Sequence, residues 1–154
     1  MTTSEIKLQR AEPTWTAVIR GSVPAHELSK FVPAACGEVW SFLRTNAVKN
    51  AGRHVAVYLD PAGNVEVGCE VAELFTGNGR VQRSQLPFGL VAHAVHWGPY
   101  QHLKMTHAAI RNWCRHNGYQ PTGVCWEIYG HWEESWNRDP SIIRTDVFHL
   151  LNDV

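Results

Sequence analysis

The sequence predicts an α+β domain made of two strand-helix-strand-strand modules. The modules are related by a pseudo-twofold axis, with an antiparallel sheet and both helices on one face. Three observations predict it. Hydrophobic periodicity runs through strand, helix, strand and strand, and then through the same order again. The strongest break, Thr76-Gly77-Asn78-Gly79, falls between the two runs. Matched residues also recur at matched places: Val57-Tyr58 and Ile128-Tyr129, then Glu66-Val67 and Asp146-Val147. The 154 residues are read as one domain, 1–154, with repeat one at about 5–72 and repeat two at about 81–152.

Trp15 to Arg20 (WTAVIR) is a strand rich in β-formers. Pro24 and Pro33 follow, and Pro33 is read as a first-turn proline. Cys36, Val39, Trp40 and Leu43 then recur at helical spacing, and the helix ends near Thr45-Asn46. His54 to Leu59 is a strand, Asp60 to Asn64 a turn, and Val65, Val67, Cys69 and Val71 alternate as the second arm of a hairpin. Past the break, Val81 to Leu86 and Leu90 to Trp97 are strands. Gly98-Pro99 opens a helix striped by Leu103, Ile110, Trp113 and Cys114, and Asn117-Gly118 closes it. Val124 to Tyr129 is a strand, His131 to Pro140 a polar loop carrying two tryptophans, and Ile142 to Leu151 the last strand.

Composition removes several functions. Fourteen Lys/Arg balance fourteen Asp/Glu, so no charge excess draws the chain to nucleic acid. Apolar runs are too short to span a bilayer, and the N-terminus lacks the basic and apolar regions of a signal peptide. Cys36, Cys69, Cys114 and Cys125 form no CxxC pair and are read as reduced thiols of a cytoplasmic protein. His93 and His96 point to opposite strand faces. His107 lies on the helical stripe, where an interface histidine is the simpler reading. With no HxxxH or HxH pair, neither a metal nor a cofactor is expected. No nucleophile elbow, phosphate loop or dinucleotide fingerprint occurs.

Glu127 carries the chemical interest. Cys125, Glu127 and Tyr129 share one strand face, and Val124, Trp126 and Ile128 share the other. Both faces are largely apolar, so a carboxylate here is either paired or open to a cavity. Alternation leaves a pocket floor on one side and, on the other, either a solvated face or a pairing with an arginine such as Arg144. Seven tryptophans are the compositional oddity. Trp15 and Trp113 read as core, and Trp132 and Trp136 read as a rim or lid because loop rings need apolar surface to cover.

Trp126-Glu127-Ile128-Tyr129, a loop with Asp139-Pro140, then Arg144-Thr145-Asp146-Val147 resembles the second-half signature of GyrI-like small-molecule-binding domains. Leu86-Pro87-Phe88-Gly89 and His96-Trp97-Gly98-Pro99-Tyr100 resemble that family's approach to its second helix. The family also supplies the effector-binding part of AraC- and MerR-type multidrug regulators. The likeness runs from about residue 5 to 152 and leaves no helix-turn-helix segment. Departures are Thr145-Asp146 where the family often has Thr-Glu, and Phe148-His149 in place of a proline-containing end.

The resemblance implies a stand-alone effector or sequestration domain with a cavity between the modules and Glu127 at its floor. Trp40, Tyr58, Trp97, Trp126 and Tyr129 are its candidate walls, and a lipophilic aromatic or cationic compound its ligand. A second expectation is a hydrolase of electrophilic, cyclopropane-type molecules, with Glu127 and Tyr129 as acid/base groups. A third is an inhibitor of a protein partner such as DNA gyrase, or a companion of a separate regulator.

Overall fold

The computed structural model describes residues 2–152. Strands are β1 (Thr2–Thr3), β2 (Lys7–Ala11), β3 (Trp15–Ser22), β4 (His54–Tyr58), β5 (Asn64–Glu70), β6 (Val81–Gln85), β7 (Gly89–Trp97), β8 (Pro121–Tyr129) and β9 (Arg144–Leu151). Helices are α1 (Leu28–Thr45), α2 (Leu103–Asn117) and the short α3 (Ser135–Arg138). The predicted α+β class and its element order stand. Among the described residues, no helix is long and apolar enough to cross a membrane.

The chain divides into two compact units. One is Pro13–Pro87, and the other joins Met1–Glu12 to Phe88–Val154. In the Pro13–Pro87 unit, β4, β5, β3 and β6 lie side by side in that order, all antiparallel. In the other unit β8, β9 and β7 follow the same order, and β7 takes β1 and β2 on its far edge. Each unit's outer strand thus comes from the segment leading into the other unit's first strand. The compact units therefore cut the chain differently from the sequential repeats 5–72 and 81–152.

The helix starts repeat as well. Pro24 and Pro99 hold nearly the same backbone (φ −60° and −59°), each followed by one 3₁₀ turn, and the helices begin at Leu28 and Leu103. The prolines fix φ where the incoming N–H needs no helical partner. Pro33 is not the first-turn proline read from the sequence. It lies inside α1, because the preceding 3₁₀ turn launches the helix earlier, and its exposed side leaves the lost hydrogen bond to water. The α1 stripe buries Ala35, Val39 and Leu43. Asn46 stops the helix as expected, its side-chain amide donating to the Phe42 carbonyl at 2.9 Å. Gly118 closes α2 in the left-handed region (φ 77°).

Three other elements differ from the sequence reading. The polar segment KLQRA is a strand, held as an edge by pairing with β7. The loop after β8 contains α3 and a 3₁₀ turn at Pro140–Ile142, so β9 begins only at Arg144. Trp15 is 42% exposed rather than core, because it stands at the end of β3 while Thr16 to Ile19 behind it are buried on both faces. Trp113 does pack against the core of its unit, stacked on Tyr119 at 5.5 Å.

Gly68 shows how closely β3 and β5 approach. A Cβ at this position meets the Ala17 carbonyl oxygen at 1.8 Å, and backbone cannot rotate aside. Gly68→Ala is expected to destabilise the protein by about 3 kcal/mol, the upper end of overpacking costs. Urea unfolding of the variant beside wild type measures it, and an unchanged midpoint refutes the close approach.

Candidate functional site

The residues that Glu127 meets are set by register. A bulge between Pro121 and Cys125, with Gly123 in the left-handed region (φ 99°), resets β8 before its functional stretch. Downstream, Cys125 pairs with His149, Glu127 with Val147 and Tyr129 with Thr145 across β8 and β9. Cross-strand partners share a face. On β7, Ala92, Ala94 and His96 pair with His149, Val147 and Thr145, so they share that face too. Helix α2 covers it: Leu103, Ile110 and Cys114 pack with Ala92, Ala94, Val147 and Leu151, and Tyr129 packs at the border.

His107 lies on this stripe, between Leu103 and Ile110, and points into the sheet. Its Nε2 is 2.8 Å from Glu127 Oε2 and its Nδ1 is 2.8 Å from His149 Nε2. On the other side, the Tyr129 hydroxyl donates to Glu127 Oε1 at 2.5 Å. Glu127 itself is 4% exposed. Burial on its own would lower the His107 pKa. Hydrogen bonds to Cys125 and Glu127, with the charge on Glu127, outweigh it and lift the ring to about 9. Burial pushes His149 down to about 3, helped by the charges on His107 and Arg111. A protonated His107 thus donates from both nitrogens, to a carboxylate on one side and a neutral imidazole on the other. The carboxylate's partner is this histidine, not Arg144.

Arg144 is engaged on the opposite face. There it grips Asp146 (2.9 and 3.3 Å), which also meets His93 Nε2 at 2.8 Å. Trp97 pairs with Arg144, whose guanidinium lies over the indole at 5.6 Å. Trp126 stacks on Phe148 at 5.1 Å, and Phe148 meets His93 at 4.7 Å. Trp97 and Trp126, two candidate walls, therefore project away from the Glu127 face by simple strand alternation.

The remaining candidates sort as follows. Tyr129 touches Glu127 directly. Its ring meets Tyr100 edge-on at 5.5 Å, Tyr100 meets Trp132 at 6.5 Å, and Trp132 meets Trp136 at 5.2 Å. Tyr100 and Trp132 are exposed, at 41% and 54%, while Trp136 is buried. Of the two loop tryptophans, then, Trp132 lies open to solvent and Trp136 is buried against it. Tyr58 and Trp40 belong to the Pro13–Pro87 unit. Tyr58 lines a shallow cleft of about 240 Å³ with Pro24, Leu28 and Val65, and Trp40 sits edge-on to His54 at 5.6 Å. Sequence reading does not bring Tyr100, His107, His149 and Cys125 together as a group; its one signal is the place of His107 on the helical stripe.

Two further polar features border the site. His96 is fully buried: its Nε2 faces the Pro99 carbonyl (3.1 Å) and its Nδ1 the Thr106 hydroxyl (2.7 Å). A carbonyl only accepts, so Nε2 carries the proton and Thr106 donates to Nδ1, leaving its oxygen to accept from Thr3 (2.7 Å). This chain ties β1 to α2. Thr145, opposite Tyr129, keeps a buried hydroxyl with no hydrogen-bond partner among the described residues.

Neither a known family profile nor any curated protein matches the sequence. Solved structures do match. The EcmrR C-terminal domain superposes with a TM-score of 0.76 at 21% identity, over 97% of this chain and 98% of that one. The EcmrR chain in complex with DNA gives 0.78 at 19%, and there the match spans 58% of the longer chain. SAV2435, solved bound to tetraphenylphosphonium, gives 0.66 at 7% identity over 96% of this chain and 94% of that one. This chain has the GyrI-like fold. A hydrolase from Listeria innocua also shares the fold (TM-score 0.59, 9% identity, 96% and 92% covered). Within the GyrI-like frame, Glu127 and Tyr129 occupy the strand that follows the second helix.

The Asp146 cluster yields a pH prediction. Burial would raise this carboxyl, but hydrogen bonds from His93 and Arg144 hold it down at about 2, against 3.8 in a free chain. A depressed folded pKa adds stability that is present above the free value and lost as pH falls toward the folded one. Between about pH 4 and pH 2, wild type is therefore expected to lose stability more steeply than Asp146→Asn. Urea midpoints across that range measure the difference, and parallel curves would refute it.

Proposed function

We propose that this GyrI-like chain binds a lipophilic aromatic or cationic small molecule at the Glu127 face, as an effector-binding or sequestering domain. One observation carries the reading: a line of aromatic rings runs from exposed Trp132 and Tyr100 to half-buried Tyr129, whose hydroxyl holds a buried carboxylate. Exposed aromatic surface next to a buried polar anchor is what an amphiphilic ligand needs. Rings add cation–π attraction of roughly 0.5–2 kcal/mol each. SAV2435, with tetraphenylphosphonium bound in the same fold, supports a cationic aromatic ligand.

His107 tempers the charge argument. The flanks of Glu127 offer no local Lys or Arg and leave Arg144 as a candidate partner, whereas in the structure its charge is shared with the His107 imidazolium. A ligand cation competes with that partner, so aromatic contact supplies most of the affinity and charge a smaller part. Glu127 then acts as a selector between cations and neutral molecules of the same shape.

Tryptophan fluorescence titrations with tetraphenylphosphonium and neutral triphenylphosphine oxide test this. Glu127→Gln is expected to weaken the cation about tenfold, which is about 1.4 kcal/mol, and leave the neutral compound unchanged. Tyr100→Ala should weaken both. Equal cation affinity in Glu127→Gln and wild type ends the selector role, and no saturable quenching with either probe ends the binding reading. Conversion of a cyclopropane-type alkylator in the same incubations, lost in Glu127→Gln, would move the assignment to a hydrolase.

A further inference from the structure

The topology brings together three side chains that are distant in sequence. His107 comes from α2, Cys125 from β8 and His149 from β9. Their ligating atoms lie within 4.8 Å of one another, and two of the residues face each other through Nδ1 and Nε2 at 2.8 Å. Register explains the third: Cys125 and His149 are direct cross-strand partners, so both project toward the helix that carries His107. All three are buried or half-buried. Two imidazoles and a thiol are a borderline-soft donor set, suited to zinc, and three protein ligands leave a fourth position open.

We propose that His107, Cys125 and His149 form a zinc site. His107 coordinates through Nδ1, the nitrogen facing His149, whose proton the incoming metal displaces to solvent, while its Nε2–H stays on Glu127. The carboxylate then fixes the ring of a metal ligand, an arrangement that recurs at zinc–histidine sites and strengthens binding. Tyr129 in turn holds Glu127 from its other oxygen. The ligand shell and its support are therefore both present. Tetrahedral bonds of about 2.0–2.1 Å to nitrogen require the two ring nitrogens to part to roughly 3.4 Å, a shift of about half an ångström. Side-chain rotation covers that without moving either strand.

This site does not depend on the small-molecule reading, and it differs from the sequence expectation that no metal binds. Local spacing gave no HxxxH or CxxC signal because each ligand comes from a different element. Glu127 gains a second role from it, as a positioning residue behind His107.

Chelator-stripped full-length protein titrated with zinc alone, and separately with cobalt(II), tests the proposal. One equivalent should bind, and cobalt should give the intense near-ultraviolet band of a thiolate ligand together with the visible bands of a tetrahedral ion. Cys125→Ser is expected to lose the thiolate band and bind zinc at least about tenfold more weakly. Glu127→Gln should keep the band and lose about 10- to 100-fold in affinity. Cys114→Ser, whose buried thiol lies outside the cluster, should behave as wild type. Mass-spectrometric mapping of alkylation in wild type gives a readout free of folding defects: zinc should slow modification of Cys125 and leave Cys36 unchanged. No thiolate band, or zinc uptake and Cys125 alkylation unaffected in these comparisons, overturns the site.

Discussion

A carboxylate placed 4% exposed on an apolar face is the constraint from which the chemistry of the Phe88–Val154 segment follows. Removing such a charge from water costs several kcal/mol unless hydrogen bonds and an opposite charge replace the solvent. Here the replacement is local and complete on both oxygens. Tyr129, two residues along the same strand, serves one, and His107 on the covering helix serves the other. That dependence fixes the rotation of α2 on the sheet, because only one face of the helix can bring a histidine over β8. It also explains the asymmetry of the paired histidines. With His107 held as a cation by its carboxylate, His149 must remain neutral to accept from it.

Sheet register distributes the remaining polar groups between two faces. Toward α2 lie Glu127, Cys125, His149, Thr145 and His96. Behind them lie Asp146, Arg144, His93 and two tryptophans. A one-residue slip would exchange these sets and leave both carboxylates without partners. The bulge around Gly123 sets the register instead: the step from Pro121 to Cys125 on β8 matches that from Leu151 to His149 on β9, which keeps each side chain on its face and decides which β9 residue it opposes.

Much of the fold was legible because periodicity is a local property. Both long helices, the hairpin, and strands β6 to β9 follow from runs of apolar residues and from turn residues such as Asp60 to Asn64 and Gly98-Pro99. The strand KLQRA was illegible for the opposite reason: a polar, solvent-facing edge carries no alternation, and only its pairing with β7 makes it a strand. Within the site, Glu127 and Tyr129 could be found because they break an apolar strand on one face. Their partner could not, because a helix stripe does not say which strand it will cover. The placement of Trp97 and Trp126 was readable from parity. They stand an odd number of positions from the residues that face Glu127, so counting tryptophans was a weaker guide than counting along the strand.

The exchange of outer strands has a consequence for how the chain assembles. During synthesis β2 leaves the ribosome before β3, yet its partner β7 follows only after the whole Pro13–Pro87 unit. That unit can close as soon as β6 is made, with the pairings among β3, β4, β5 and β6 already in hand. The other unit must wait for its partners, keeping a short, polar, charged arm in water meanwhile. Lys7, Gln9 and Arg10 suit that interval, since an unpaired strand of this composition resists pairing with the wrong neighbour. Nascent-chain order, and not only final packing, favours the hydrophilic character of this strand.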